Sequence, residues 1–159
     1  MNKSELIELL KNYKENKAKL KIKLKDLKTT RIDLENINDL ETSLTTSYGN
    51  NQDIHSKNQI SNKVLRKIEE NDIKRIECKE KIEKLEEEVR TLREQVEKVE
   101  DRLEGLKYKE REILIAYYVD GRTYEDIGEN LHYKLFQQKR SWETIKKIVE
   151  KATKKMLEL

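Results

Sequence analysis

The side chains with the clearest chemical capacity are cations gathered near the end of the chain. Lys139, Arg140, Lys146, Lys147, Lys151, Lys154 and Lys155 stand against only Glu143 and Glu150, a surplus of about five positive charges on roughly four and a half helical turns. Such groups neither make nor break bonds; at this density they attract phosphate. The same stretch, Arg140 to Met156, keeps Ile145, Ile148 or Val149, Ala152 and Met156 on one apolar stripe, and Ser141 stands where a hydroxyl can cap a helix. Bond-making chemistry is not in view. The chain has no glycine-rich phosphate loop and no Ser/His/Asp or Cys/His pairing, so no catalytic residue and no enzyme is expected. Cys78, His55 and His132 have no metal-ligand spacing, and neither a metal nor a cofactor is expected.

A helix of this kind needs neighbours to hold it. Upstream, a helix from about Glu110 to Val119 places Ile113, Ala116 and Tyr117 on one side, with Leu114 and Tyr118 beside them. Asp120-Gly121 should end it, because glycine takes the left-handed conformation without a Cβ clash. Thr123 and Asp126 then have the spacing of a capping box, opening a short helix to Leu131 that buries Tyr124, Ile127 and Leu131. Gly128 sits where a missing side chain would let the basic helix cross closely.

At these residues a family likeness becomes specific. "EREILIAYYVDGRTYEDIGENLHY" followed by "RSWETIKKIVEKATKKM" resembles the helix-turn-helix of sigma-70 region 4, as carried by small phage-encoded late-transcription regulators. The resemblance implies that the last helix enters a DNA major groove and that the module touches RNA polymerase. By position it implies that Ser141, Trp142, Glu143, Thr144, Lys146 and Lys147 face DNA, with Lys139 and Arg140 on phosphates and Lys151 on the same basic side.

The chain departs from that pattern between Leu131 and Ser141, where "HYKLFQQKR" is about seven residues more than a tight turn needs. Either residues 132–140 are an insertion, a small lobe anchored by Leu135 and Phe136, and reading begins at Ser141; or one helix runs from about Lys134 to the end, and Lys134, Gln137, Gln138 and Arg140 read bases. The Ser141 cap favours the first. Trp142 and Tyr124 as stacking platforms for single strands are a weaker alternative to core or helix-crossing roles.

The rest of the chain looks like a support. With 42% charged residues, 35% hydrophobic ones, no proline and four glycines, it should form long helices and not a rounded core. A first helix, about Lys3 to Leu44, carries Leu6, Leu10, Tyr13, Leu20, Leu24, Leu27 and Leu34 in a heptad seam whose two gaps are filled by Lys17 and Arg31. Its first 31 residues hold ten basic groups against four acidic ones, read as a solvated face or as auxiliary contact with DNA backbone or polymerase. Thr45 to Asn62 is a polar break, read as an exposed loop. Val64 to Leu106 is a second helix, with Ile82, Leu85, Val89, Leu92, Val96, Val99, Leu103 and Leu106 in unbroken three-four steps, while Ile73 and Ile76 lie off the frame. The two helices, about 60 Å each, can fold into an antiparallel hairpin, and the seam can also pair with a second copy of the chain. The expected fold is all-α: a long antiparallel helical hairpin, residues 1–106, followed by a helix-turn-helix domain, residues 107–159.

No apolar run reaches a membrane span and no signal-peptide core stands at the N-terminus, so a cytoplasmic protein in a bacterial host is expected. Three functions fit these features. The leading one is sequence-specific binding of double-stranded DNA with transcriptional control, the chain pairing as a homodimer and RNA polymerase as a second partner. The others are a phage DNA-packaging role like a terminase small subunit, which ring stoichiometry would reveal, and an adaptor for polymerase without DNA affinity. Salt separates the last, because phosphate contacts weaken steeply with ionic strength.

Overall fold

A computed structural model describes residues 1–49 and 62–159, with side chains for 1–38 and 65–159. Among the described residues six α-helices follow one another: α1 (Lys3–Gly49), α2 (Asn62–Glu104), α3 (Tyr108–Tyr118), α4 (Tyr124–Asp126), α5 (His132–Phe136) and α6 (Trp142–Glu158). A π-helical turn, Ile127–Leu131, joins α4 to α5 without a break. The described residues contain no strand, and none of their helices is long and apolar enough to cross a membrane. They form two compact units, Met1–Leu20 with Thr91–Leu159, and Lys21–Arg90.

In the unit Lys21–Arg90, α1 and α2 lie antiparallel, as the hairpin expectation required. Lys23 meets Glu88 at 2.6 Å, Arg31 meets Glu86 at 2.6 Å, and Arg75 reaches Asn38 at 3.1 Å, so partners on α2 descend as α1 ascends. Leu27, Leu85 and Val89 are buried between them with Thr30 and Asn71. Arg31, one of the two charges interrupting the α1 seam, therefore sits opposite a glutamate. Ile73 and Ile76, off the heptad frame, are exposed.

In the other unit the ends of the same two helices are joined by α3 and α6. Leu6 and Leu10 of α1, Val99, Leu103 and Leu106 at the end of α2, Leu114 of α3, and Ala152 and Met156 of α6 form one buried cluster. Asn2 opens α1 with a capping box: its side-chain oxygen accepts from the Glu5 N–H at 2.8 Å, and the Glu5 carboxylate accepts from the Asn2 N–H at 3.0 Å. Lys17, the second interruption of the seam, donates to Glu100 at 2.7 Å and to the Tyr13 hydroxyl at 3.1 Å, while Tyr13 donates to Glu100 at 2.8 Å. The hydrogen bond to Glu100 holds the Lys17 ammonium well above its ordinary range.

Three expectations are corrected. The first helix does not end near Leu44 but continues to Gly49, because adding a residue to an established helix costs little even for weak helix formers. Of the stretch read as a polar loop, Thr45–Gly49 belongs to α1 and Asn62 to α2; residues 50–61, including His55, lie outside the described residues. The helix expected to stop at Leu131 runs through the π turn and α5 to Phe136.

Candidate nucleic-acid interface

The helix-turn-helix is assembled from α3, the α4–π–α5 run and α6 around Ile113, Ala116, Ile127, Ile145 and Val149, all buried, with Tyr117, Tyr118, Tyr124, Leu131 and Ile148 packed against them. Its first break is the one the residues announce. Gly121 has φ +68°, the Asp120 N–H bonds the Ile115 oxygen at 3.1 Å, and the Arg122 N–H reaches back six residues to the Ala116 oxygen at 3.0 Å. Thr123 then caps α4, its hydroxyl accepting from the Asp126 N–H at 3.2 Å. The reciprocal half of the expected capping box is absent: the Asp126 carboxylate instead accepts from the Asn130 amide at 2.8 Å and lies 3.6 Å from Arg122.

The second break decides between the two alignments. Gln137 adopts the left-handed conformation, φ 56° and ψ 27°, with its N–H on the Tyr133 oxygen at 2.9 Å, and so ends α5. Ser141 is extended, φ −65° and ψ 152°, and its hydroxyl accepts from the Thr144 N–H at 3.4 Å to begin α6. One helix from Lys134 to the end is therefore ruled out, and the reading of bases by Lys134, Gln137 and Gln138 along such a helix goes with it. A separate lobe does not form either: residues 132–136 simply lengthen the second helix, and only 137–141 turn. Gly128 lies under that turn, its oxygen accepting from the Arg140 N–H at 3.1 Å. The close approach expected there is real, but the nearest neighbour is the Arg140 carbonyl, with the Ile145 side chain behind it.

On α6, burial and charge separate cleanly. Ile145, Val149, Ala152, Thr153 and Met156 are buried, the first two against α3 and the second helix, Ala152 and Met156 against the α1–α2 ends. Lys146, Lys147, Lys151 and Lys154 are exposed, and none has a carboxylate partner among the described residues. Lys155 differs, lying 3.6 Å from Glu110 of α3. The positions singled out from sequence form one continuous strip: Lys139 and Arg140 in the turn, Ser141 as cap, Trp142 at 47% exposure, Glu143 exposed, then Lys146, Lys147 and Lys151. Thr144 is half-buried, its hydroxyl 3.0 Å from that of Ser141, so these two are partly committed to the cap. Tyr124 has one ring face stacked on Tyr117 at 4.3 Å and 9°, which leaves it a packing residue and not an open platform.

His132 carries more than its sequence context announced. It is fully buried, its Nδ1 is 2.5 Å from the Gln138 carbonyl oxygen, and its ring lies 4.9 Å from Phe136. Phe136 in turn meets Tyr108 edge-on at 6.2 Å and lies under the Lys109 ammonium at 5.2 Å. The i,i+4 spacing of His132 and Phe136 is legible, but which way the pair points depends on the π turn, where the His132 N–H bonds Ile127 five residues back. Burial pushes the imidazole below its ordinary range and the nearby Lys109 and Arg140 add to this, against the pull of the Gln138 carbonyl. A histidine whose folded pKa lies below its unfolded one stabilises the fold fully above the unfolded value, and loses that contribution as pH falls through the folded one. The melting temperature should therefore drop below about pH 6.5, with a limiting slope of about 1.4 kcal/mol per pH unit for one proton. Thermal melts of wild type and His132→Asn across that range check this; the variant's curve should be flatter.

Three crossed helices, a glycine-closed first turn and a serine-capped last helix define a helix-turn-helix, a DNA-binding regulatory class of domain. Residues 102–157 match the family Sigma-70, region 4, which covers just over a third of the chain and coincides with the stretch whose motifs resembled it. Neither a curated protein nor a solved structure matches the chain.

Proposed function

We propose that the protein is a sequence-specific DNA-binding transcriptional regulator of phage or prophage type, acting in the cytoplasm of a bacterial host. Residues 107–159 serve as reader, and residues 1–106 as a coiled-coil stalk that pairs two chains. The observation carrying this reading is that the region 4 match falls on a helix whose apolar side is committed to two cores, while Lys146, Lys147, Lys151 and Lys154 face solvent unpaired among the described residues. Ser141, Trp142, Glu143, Thr144, Lys146 and Lys147 would line the major groove, and Lys139, Arg140 and Lys151 would lie along phosphates. A homodimer would present two such helices to two half-sites about 34 Å, one helical turn, apart. RNA polymerase is the second partner of the same module.

Lys146→Ala with Lys147→Ala tests the reading. Affinity for every duplex should fall by roughly tenfold or more at low salt, and the slope of log K against log salt should become shallower by about two. Glu143→Ala should instead change which site is preferred. Equal binding by wild type and the double-lysine variant across a salt titration would remove α6 as the reader. A protection footprint on neighbouring genomic DNA, with and without polymerase, gives the site and tests the second partner.

A further inference from the structure

The turn that delivers the reading helix is held by a buried imidazole together with the Arg140 N–H on Gly128. The Nδ1 of His132 grips the Gln138 carbonyl at 2.5 Å, and Gln138 also accepts from the Arg140 guanidinium at 2.9 Å through its side-chain oxygen. The other ring nitrogen, Nε2, is buried with no hydrogen-bond partner. Two cations disfavour a charged ring, Lys109 from the first turn of α3, over the neighbouring Phe136 ring, and Arg140 from the turn itself. Lys139 and Arg140 lead directly into Ser141, the cap of α6. The imidazole thus holds the residue that precedes the two cations assigned to phosphate, and one of them, Arg140, disfavours its charged form.

We propose that His132 is a positioning residue whose protonation is coupled to DNA contact: when phosphates settle on Lys139 and Arg140, Nε2 takes a proton from solvent, and the imidazolium grips Gln138 more firmly. This rests on α6 being the duplex-contacting helix. The physical steps are few. In the free protein burial, and after it the two neighbouring cations, favour neutral imidazole, so Nδ1–H is an ordinary donor. A phosphate beside Arg140 cancels repulsion that the imidazolium would otherwise meet. A charged donor makes a stronger hydrogen bond to a carbonyl than a neutral one, so the proton stiffens the turn that aims Ser141 and the first turn of α6. No bond is made or broken beyond the transfer of one proton from buffer to Nε2.

The test is calorimetry of the full chain with a mixed-sequence duplex of about 40 base pairs near pH 6, in two buffers of different ionisation enthalpy. The difference in apparent heat counts protons taken up. Wild type should take up a measurable fraction of one proton, and its affinity should rise on acidification, by at most about tenfold per pH unit. The sequence has two histidines, which makes the assignment simple: His55→Gln should keep the uptake and His132→Asn should lose it, leaving a flat pH profile. A histidine that only supported the fold would change affinity without changing the proton count. Binding without uptake by wild type, loss of uptake in His55→Gln, or its retention in His132→Asn would each overturn the coupling while leaving the DNA reading intact. Should His132→Asn fail to fold, an NMR titration of the one remaining imidazole in His55→Gln, free and duplex-bound, decides: its midpoint should rise on binding, and an unchanged midpoint would overturn the coupling. No duplex binding at any pH or salt would overturn both.

Discussion

Gly128→Ala is expected to destabilise the helix-turn-helix by about 2 kcal/mol, the reverse of what helix propensity forecasts. Glycine inside a helix costs about 1 kcal/mol relative to alanine, so on local grounds the substitution should help. The surroundings decide otherwise. A Cβ built on Gly128 overlaps the backbone oxygen of Arg140 and stands 3.4 Å from Cγ1 of Ile145. A flexible side chain could move away, but a main-chain carbonyl moves only with the whole turn, which is tied down by the Arg140 N–H on Gly128 and by His132 on Gln138. Relief would shift Lys139, Arg140 and the Ser141 cap together. Chemical denaturation of Gly128→Ala should show the loss, and duplex affinity of the still-folded fraction should fall with it. Gly121→Ala is the contrast: nothing lies within 4 Å of its Cβ, and the penalty there is the backbone strain of φ +68° alone, about 1 kcal/mol. If Gly128→Ala proves as stable as wild type, the turn does not cross over Gly128 at Arg140.

What could be read from the residues was what each segment states locally. Asp120-Gly121 and Thr123 mark the first break through glycine conformation and a hydroxyl cap, and Ser141 marks the start of α6 in the same way. The three-four pattern from Leu85 to Leu106 and the lone charges Lys17 and Arg31 in the α1 seam described a hairpin whose charged gaps find glutamates across it. The end of α5 was not legible, because the left-handed position that closes it is filled by Gln137 and not by glycine or asparagine. The π turn was not legible either. One extra residue in a helical ladder leaves no compositional mark, yet it rotates His132 and Phe136 onto α3 and turns an apparent insertion into a lengthened helix. The candidate strip from Lys139 to Lys151 could be named in advance because charge and a cap announce it. The support behind it, His132 with Phe136, Tyr108 and Lys109, could not, because it depends on where a neighbouring helix happens to begin.

Leu10→Ala should cost about 3 kcal/mol and lower the melting temperature by about 10 °C, although Leu10 lies about a hundred residues from the helix-turn-helix in sequence. Leu10 is fully buried in the cluster that contains Leu114 of α3 and Ala152 and Met156 of α6. Removing its outer carbons leaves a cavity bounded by those side chains, and a close-packed interior fills such a void only in part. The loss falls on the far half of α6, whose near half is held separately by Ile145 and Val149. The start of α1 is therefore a structural part of the unit that holds α3 and α6, since the C-terminal half of α6 is anchored on it. Ile22→Ala is the control on the same helix: Ile22 is exposed, so its loss should fall within about 0.5 kcal/mol of wild type. Hydrogen exchange resolves the distinction further, since Leu10→Ala should speed exchange of α6 amides around Ala152 and Met156 and Ile22→Ala should leave them unchanged. Equal stability of the two variants would mean that the cluster joining α1 to α3 and α6 does not hold in solution.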